Sequence, residues 1–167
     1  GSVTIHPGAS NSLKVYGNLS LTGDLTSVNA AGVTGGLATI VVDSSGSLTA
    51  NGQLNVTLNQ GNFDMVLGQS IDDPDDLDAD SRIEEDGSFS AGTLNINLTG
   101  SAGYVYVTVA SGFSDFTLTS SGSSTISQNA ASTGQIILSA YWGGAIDFSS
   151  NTSLTIDHTA GGDMKIA

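Results

Sequence analysis

Residues 93–109 read Thr-Leu-Asn-Ile-Asn-Leu-Thr-Gly-Ser-Ala-Gly-Tyr-Val-Tyr-Val-Thr-Val, and this stretch decides the fold class. Apolar and polar side chains alternate on both sides of its glycines. Successive side chains of a β-strand point to opposite faces, so a period of two places one face in a core and the other towards solvent. The stretch therefore predicts two β-strands, each with one buried face. The apolar positions of these strands are Leu94, Ile96, Leu98, Val105, Val107 and Val109.

The same alternation recurs at residues 53–58, 116–119 and 154–157, and glycine-rich breaks separate the runs. Short strands with turn signals roughly every 8–12 residues are typical of β-sandwiches and barrels. Between two runs, Asn51-Gly52 favours a two-residue hairpin, because a type I′ turn needs positive φ at both central positions. The expected fold is all-β, an antiparallel β-sandwich of jelly-roll or immunoglobulin-like type, in a single domain.

A β-solenoid is the structural alternative. Residues 17–25, Gly-Asn-Leu-Ser-Leu-Thr-Gly-Asp-Leu, have the short, glycine-punctuated rhythm of a solenoid coil or a viral fibre. A solenoid should repeat at a fixed period, and the later strands do not align to one, so the sandwich is favoured. Two further runs, 37–42 and 135–142, are apolar enough to predict strands buried on both faces.

The composition points to an exterior protein. The 167 residues include 25 Ser and 17 Thr, only three Lys and Arg, and no Cys. Charged residues make up 11% of the chain, against about 25% in ordinary soluble domains. These features favour a secreted or cell-surface protein of prokaryotic or viral origin. The lack of Cys excludes disulfides and thiolate chemistry in this chain, and the scarcity of cations disfavours nucleic acid as a partner. No apolar run approaches the ~18 residues of a membrane helix, so no membrane span is expected.

A long acidic loop, residues 70–87, is predicted as an insertion between strands. Nine of the chain's 16 acidic residues lie in it, and the formal net charge of the whole chain is -13. Clustered carboxylates suit Ca²⁺, which takes roughly six to eight oxygen ligands. The candidate ligands are Asp72, Asp73, Asp75, Asp76, Asp78, Asp80, Glu84, Glu85 and Asp86.

Part of this loop resembles the beginning of an EF-hand calcium loop, with Asp76, Asp78 and Asp80 at ligand positions 1, 3 and 5. Two departures count against a full EF-hand: Ser81 stands where Gly makes the sharp turn, and Gly87 where a bidentate Glu is expected. A solvated acidic loop and a surface for a basic partner are the alternatives to a Ca²⁺ site.

Exposed aromatic residues form the second candidate site. Tyr104 and Tyr106 lie on the polar side of a predicted strand, and Tyr141 and Trp142 precede two glycines. Such residues can stack on sugar rings, as in a carbohydrate-binding module, or can pack against a second sheet or subunit. No catalytic set is apparent, since the two His are near the chain ends and no nucleophile motif accompanies them. An enzyme is therefore not expected.

The preferred function is an extracellular structural subunit of a surface filament, surface layer or adhesin, stabilised by Ca²⁺ and assembling with copies of itself. Residues 3–6 and 164–166 are predicted strands that suit pairing between subunits by strand addition. Edge strands are commonly protected by Lys or Pro, and this chain has few of either. A carbohydrate-binding module with polysaccharide as partner, and a viral capsid or fibre protein, are the alternatives.

Overall fold

The described residues form thirteen β-strands in one connected sheet. The computed structural model describes residues 1–6, 11–29, 35–43, 46–68, 87–110, 114–129, 134–141, 143–159 and 162–167. In chain order the strands are β1 (Val3–Ile5), β2 (Asn11–Val15), β3 (Asn18–Leu21), β4 (Leu25–Val28), β5 (Leu37–Val42), β6 (Ser47–Leu67), β7 (Ser88–Val109), β8 (Asp115–Leu118), β9 (Ser123–Gln128), β10 (Gln135–Ala140), β11 (Ala145–Asp147), β12 (Ser153–His158) and β13 (Met164–Ile166).

The strands stack in three ladders. The first contains β1, β4, residues 53–58 of β6, residues 93–98 of β7, β9 and β12. The second contains β2, β5, residues 62–67 of β6, residues 104–109 of β7, β10 and β13. The third contains β3, residues 47–50 of β6, residues 88–91 of β7, β8 and β11. The long strands β6 and β7 each run through all three ladders.

Every strand pairing in the described part of the chain is parallel. The chain passes through the first, second and third ladders in turn, and each later circuit lies one rung further along. The predicted antiparallel sandwich is therefore wrong. A sandwich joins antiparallel neighbours by hairpins, whereas here each segment pairs with the segment one circuit away. This connectivity is that of a parallel β-solenoid, the less favoured of the two folds considered on the sequence.

The number of residues per coil varies, which is why no fixed period aligns. Leu25 pairs with Leu54, 29 residues later, but Leu54 pairs with Leu94, 40 residues later. The next coil returns to an offset of 30. The corners absorb the difference: the link from the second to the third ladder is 43–46 in one coil and 68–87 in the next. A reader of the sequence meets the same rungs at unequal intervals.

The three ladders enclose one apolar core, and the alternation predicted it correctly. All six apolar positions of the stretch 93–109 are buried, as are Leu54, Val56 and Leu58 one rung earlier. Aromatic rings reinforce the third ladder, where Phe89 and Phe116 pack with centroids 5.1 Å apart. Complete burial of each such side chain stabilises the fold by roughly 1.5–3 kcal/mol before the entropy cost is counted.

Glycines mark the corners of the coils and do not form hairpin turns. The hairpin predicted at Asn51-Gly52 is wrong, because β6 continues through this corner with a register shift. The Gly52 amide donates to the Gly23 carbonyl of the previous coil at 3.1 Å. A Cβ at Gly52 would lie 3.0 Å from the Gly23 backbone and 2.1 Å from Asp24 Oδ1. Close stacking of successive corners, and not a type I′ turn, requires glycine here.

The two runs predicted to be buried on both faces are buried on one. In β5 the inward residues Ala38, Ile40 and Val42 are buried, whereas Leu37 is 36% exposed. The prediction was wrong because apolar residues also occupy the outer side of the second ladder. In the described part of the chain no helix is long and apolar enough to cross a membrane.

Candidate functional site

The outer surfaces of the three ladders differ in chemistry. One row on the first ladder carries only hydroxyl and amide side chains through six rungs: Thr4, Thr26, Asn55, Asn95, Thr125 and Thr155. Within it, Asn95 Nδ2 donates to Asn55 Oδ1 at 2.7 Å. These side chains therefore bond along the stacking axis and support the rungs. The outer side of the third ladder is likewise polar, with the row Thr49, Ser90, Thr117 and Asp147.

The second ladder is distinct because its outer surface is apolar and aromatic. One row runs Leu37, Asn62, Tyr104, Gln135. The neighbouring row runs Thr39, Asp64, Tyr106, Ile137, Lys165, and a third row contains Val41 and Val66. We call Asn62, Asp64, Tyr104, Tyr106 and Gln135 the tyrosine patch. It lies in the middle of the solenoid, with two rungs on either side along its ladder.

The tyrosine patch is held together by ring stacking and two hydrogen bonds. The rings of Tyr104 and Tyr106 stack with centroids 4.2 Å apart and an interplanar angle of 22°. The Tyr106 hydroxyl donates to Gln135 Oε1 on the next rung. The Tyr104 amide donates to Asn62 Oδ1 on the previous rung at 3.0 Å. Both rings are therefore fixed relative to the sheet before any ligand arrives.

Asp64 is the unusual member of the patch. Its carboxylate is half-buried, and no hydrogen-bond donor in the described residues reaches it. Burial raises its pKa above the ordinary value of 3.8, because desolvation disfavours the charged form. The pKa of Tyr104 is also raised, first by its own desolvation and then by the nearby Asp64 charge. Lys165 lies three rungs away in the same row, roughly 14 Å at the usual strand spacing.

Two of the four aromatic residues predicted as a site are brought together. Tyr104 and Tyr106 form the stacked pair, but Tyr141 lies at the corner after β10, where its side chain is 52% exposed. Trp142 lies outside the described residues. The sequence analysis missed Asp64, Asn62 and Gln135. They join the patch only through the register, which pairs Tyr106 with a residue 42 positions earlier.

The nine predicted Ca²⁺ ligands between residues 72 and 86 all lie outside the described residues. The structure fixes only the two points from which their segment leaves the solenoid. It departs after Leu67 of the second ladder and returns at Ser88 of the third. Among the residues that the structure does describe, no group of three or more His, Asp or Glu could hold a metal ion.

The last coil leaves part of the core uncovered. Ile126 of β9 is fully buried, whereas Ile156, its in-register partner in β12, is 50% exposed. The second ladder repeats the pattern, since Leu138 is 1% exposed and its partner Ile166 is 40% exposed. These side chains continue the inward rows of the core but have no further rung above them. At the other end, the inward residues Val3, Ile5, Leu13 and Leu19 are only partly buried.

No protein-family model, no curated protein and no solved structure matches this chain.

Proposed function

We propose that this chain is a structural subunit of an extracellular assembly, with no catalytic role, and that its end rungs pair with strands of another copy. The observation that carries the proposal is the exposure of Ile156 in a row where the preceding Ile126 is buried. A further parallel rung would bury Ile156 and Ile166 as fully as their partners. The added burial of two half-exposed side chains contributes roughly 1 kcal/mol each.

Backbone chemistry supports the same contact. Each end of a parallel ladder has a strand with unpaired amide and carbonyl groups, which are templates for another strand. Neither β11 nor β12 contains Lys or Pro, the residues that commonly protect an edge. Both ends of the molecule offer strands of all three ladders in the same order. Contact between unlike ends repeats without closing, so it generates a filament.

The composition supports an exterior location. A surface of Ser, Thr and Asn, with three cations and no Cys in the whole chain, suits a secreted or surface protein of a prokaryote or virus. Calcium is proposed as a stabiliser on the composition of residues 70–87 alone. The segment leaves one corner of a rigid coil, so ligand binding there would not disturb the stacking of the rungs. Hydroxyl and amide rows on the first ladder leave little on that side for acid–base chemistry.

Sedimentation velocity over a range of protein concentrations tests the proposal. The wild-type protein is expected to form larger species as concentration rises, both with and without Ca²⁺, and more strongly with it. Ile156→Lys places a charge on the uncovered end and is expected to keep the protein monomeric. Thr125→Lys is the matched control, because Thr125 lies one rung earlier on the outer surface. Persistent wild-type monomers, or equal assembly by Ile156→Lys, would reject end-to-end pairing.

A further inference from the structure

The tyrosine patch is not used by the contact between ends, and three of its features need an explanation. It places two aromatic rings on the outside of a sheet whose other outer rows are mostly polar. It holds a carboxylate that is half-buried and has no donor among the described residues. It surrounds that carboxylate with the amides of Asn62 and Gln135 and the hydroxyls of Tyr104 and Tyr106. Structural support of the rungs needs none of these features.

We propose that the tyrosine patch binds a neutral polysaccharide through ring stacking on Tyr104 and Tyr106 and through hydroxyl groups that donate to Asp64. The two rings stack on each other through one face each, which leaves the opposite face of each ring for the carbon–hydrogen face of a sugar. Aromatic rings supply a large contact area at low entropy cost because they have few rotatable bonds. The hydrogen bond from Tyr106 to Gln135 further reduces that cost.

Asp64 provides the polar part of the site. A half-desolvated carboxylate without a donor is unfavourable in the free protein, and a ligand hydroxyl that donates to it relieves this cost. Hydrogen bonds to an ionised acceptor are about twice as strong as those between neutral groups. The amides of Asn62 and Gln135 both donate and accept, as sugar hydroxyls do. A few fixed polar groups beside an apolar surface are typical of ligand sites.

Charge decides the class of polymer. The Asp64 carboxylate and the net charge of -13 repel uronic acids, sulfated glycans and other polyanions. Four of the five patch residues are uncharged and have hydrogen-bonding groups suited to hydroxyls, whereas a cationic polymer would engage Asp64 alone. The ligand chemistry that uses the whole patch is therefore an uncharged hexose polymer. Continuous rungs above and below the patch provide a surface along which such a chain can extend.

Affinity electrophoresis in native gels containing a mannan, a β-glucan or a galactan tests this site. The wild-type protein is expected to be retarded by at least one of these polymers. Tyr106→Ala should weaken binding at least tenfold, because it removes a ring face and the bond to Gln135. Asp64→Asn retains the shape of the side chain and should weaken binding about tenfold through loss of a charge-assisted hydrogen bond. Tyr16→Ala is the matched control, since Tyr16 is an exposed tyrosine at a corner of the first coil.

Several results would overturn the proposal. Wild-type mobility unchanged in all three neutral gels would do so, as would equal retardation of wild type, Tyr106→Ala and Asp64→Asn. Retardation by poly-lysine and by none of the neutral polymers would assign the patch to cations instead. If Tyr106→Ala reduces the sedimenting species without changing retardation, the patch is a contact between copies. Repeating the gels with Ile156→Lys separates this site from the end-to-end contact, because the patch should bind equally well in a monomer.

Discussion

Ile126 and Ile156 provide the sharpest test of the stacked rungs, because they are the same residue in the same row. Ile126 is fully buried and Ile156 is 50% exposed. Replacement by Ala removes three carbon groups, worth about 0.8 kcal/mol each when fully buried. At Ile126 a cavity term adds to this, for a total loss of about 3–4 kcal/mol. At Ile156 half of the transfer term applies and no closed cavity forms, so the expected loss is about 1 kcal/mol.

The measurement is urea denaturation of both variants and the wild type at a concentration where all are monomeric, followed by tryptophan fluorescence and circular dichroism. The difference of about 2 kcal/mol between the variants corresponds to roughly 4–8 °C in Tm for a domain of this size. A larger loss for Ile126→Ala supports a last coil that covers Ile126 and is itself uncovered. Equal losses from the two substitutions would refute that order of coils.

Three further outcomes are expected. Millimolar Ca²⁺ should raise Tm by roughly 5 °C or more if a site of about 10 µM affinity exists in residues 70–87, and an unchanged melt would remove calcium from the proposal. Gly52→Ala should destabilise by about 2 kcal/mol because its Cβ would meet the previous corner, whereas Gly17→Ala, with open space around it, should change stability by under about 1 kcal/mol. In Asp64→Asn the gain in stability over wild type should grow as pH rises from about 3.8. A raised folded pKa stabilises fully below the unfolded pKa, and this contribution is lost as pH rises through the folded pKa. A difference independent of pH in melts from pH 3 to about 7 would contradict the raised pKa of Asp64.

Local features of the fold could be read from the sequence. Alternation through Leu94, Ile96 and Leu98 predicted a strand with one buried face, and all three are buried. This works because strand periodicity depends only on adjacent residues. Along the same row Leu154 and Ile156 also alternate, yet Ile156 is half exposed, because its burial depends on whether another rung follows. Periodicity identifies the inward face and does not report what covers it.

Strand direction could not be read in the same way. Glycine is required both in hairpin turns and at stacked corners, so Asn51-Gly52 suggested a hairpin where the chain in fact continues to the next ladder. Parallel stacking would have been visible as a constant period, but the long link at 68–87 changes the offset from 29 to 40 residues. Removing this segment in the alignment of rungs restores offsets near 30.

The candidate site shows the same division. Tyr104 and Tyr106 were found from the sequence because they are two residues apart on one strand. Asp64 was missed, since it joins them through a pairing across 42 positions. A carboxylate becomes notable only when its surroundings are known, and here those are tyrosine rings on the neighbouring rung. Contacts of this kind need the register, which no local pattern contains.

Every row of side chains described above depends on the parallel register, and one measurement tests it directly. Nuclear Overhauser contacts between backbone protons of the first ladder report which residues are neighbours. We expect Thr125 to contact both Asn95 and Thr155, and Ser127 to contact Asn97 and Asp157, so that partner numbers rise together along each strand. Partner numbers that fall as the strand advances, as in an antiparallel sandwich, would contradict the solenoid and with it both the end-to-end contact and the tyrosine patch.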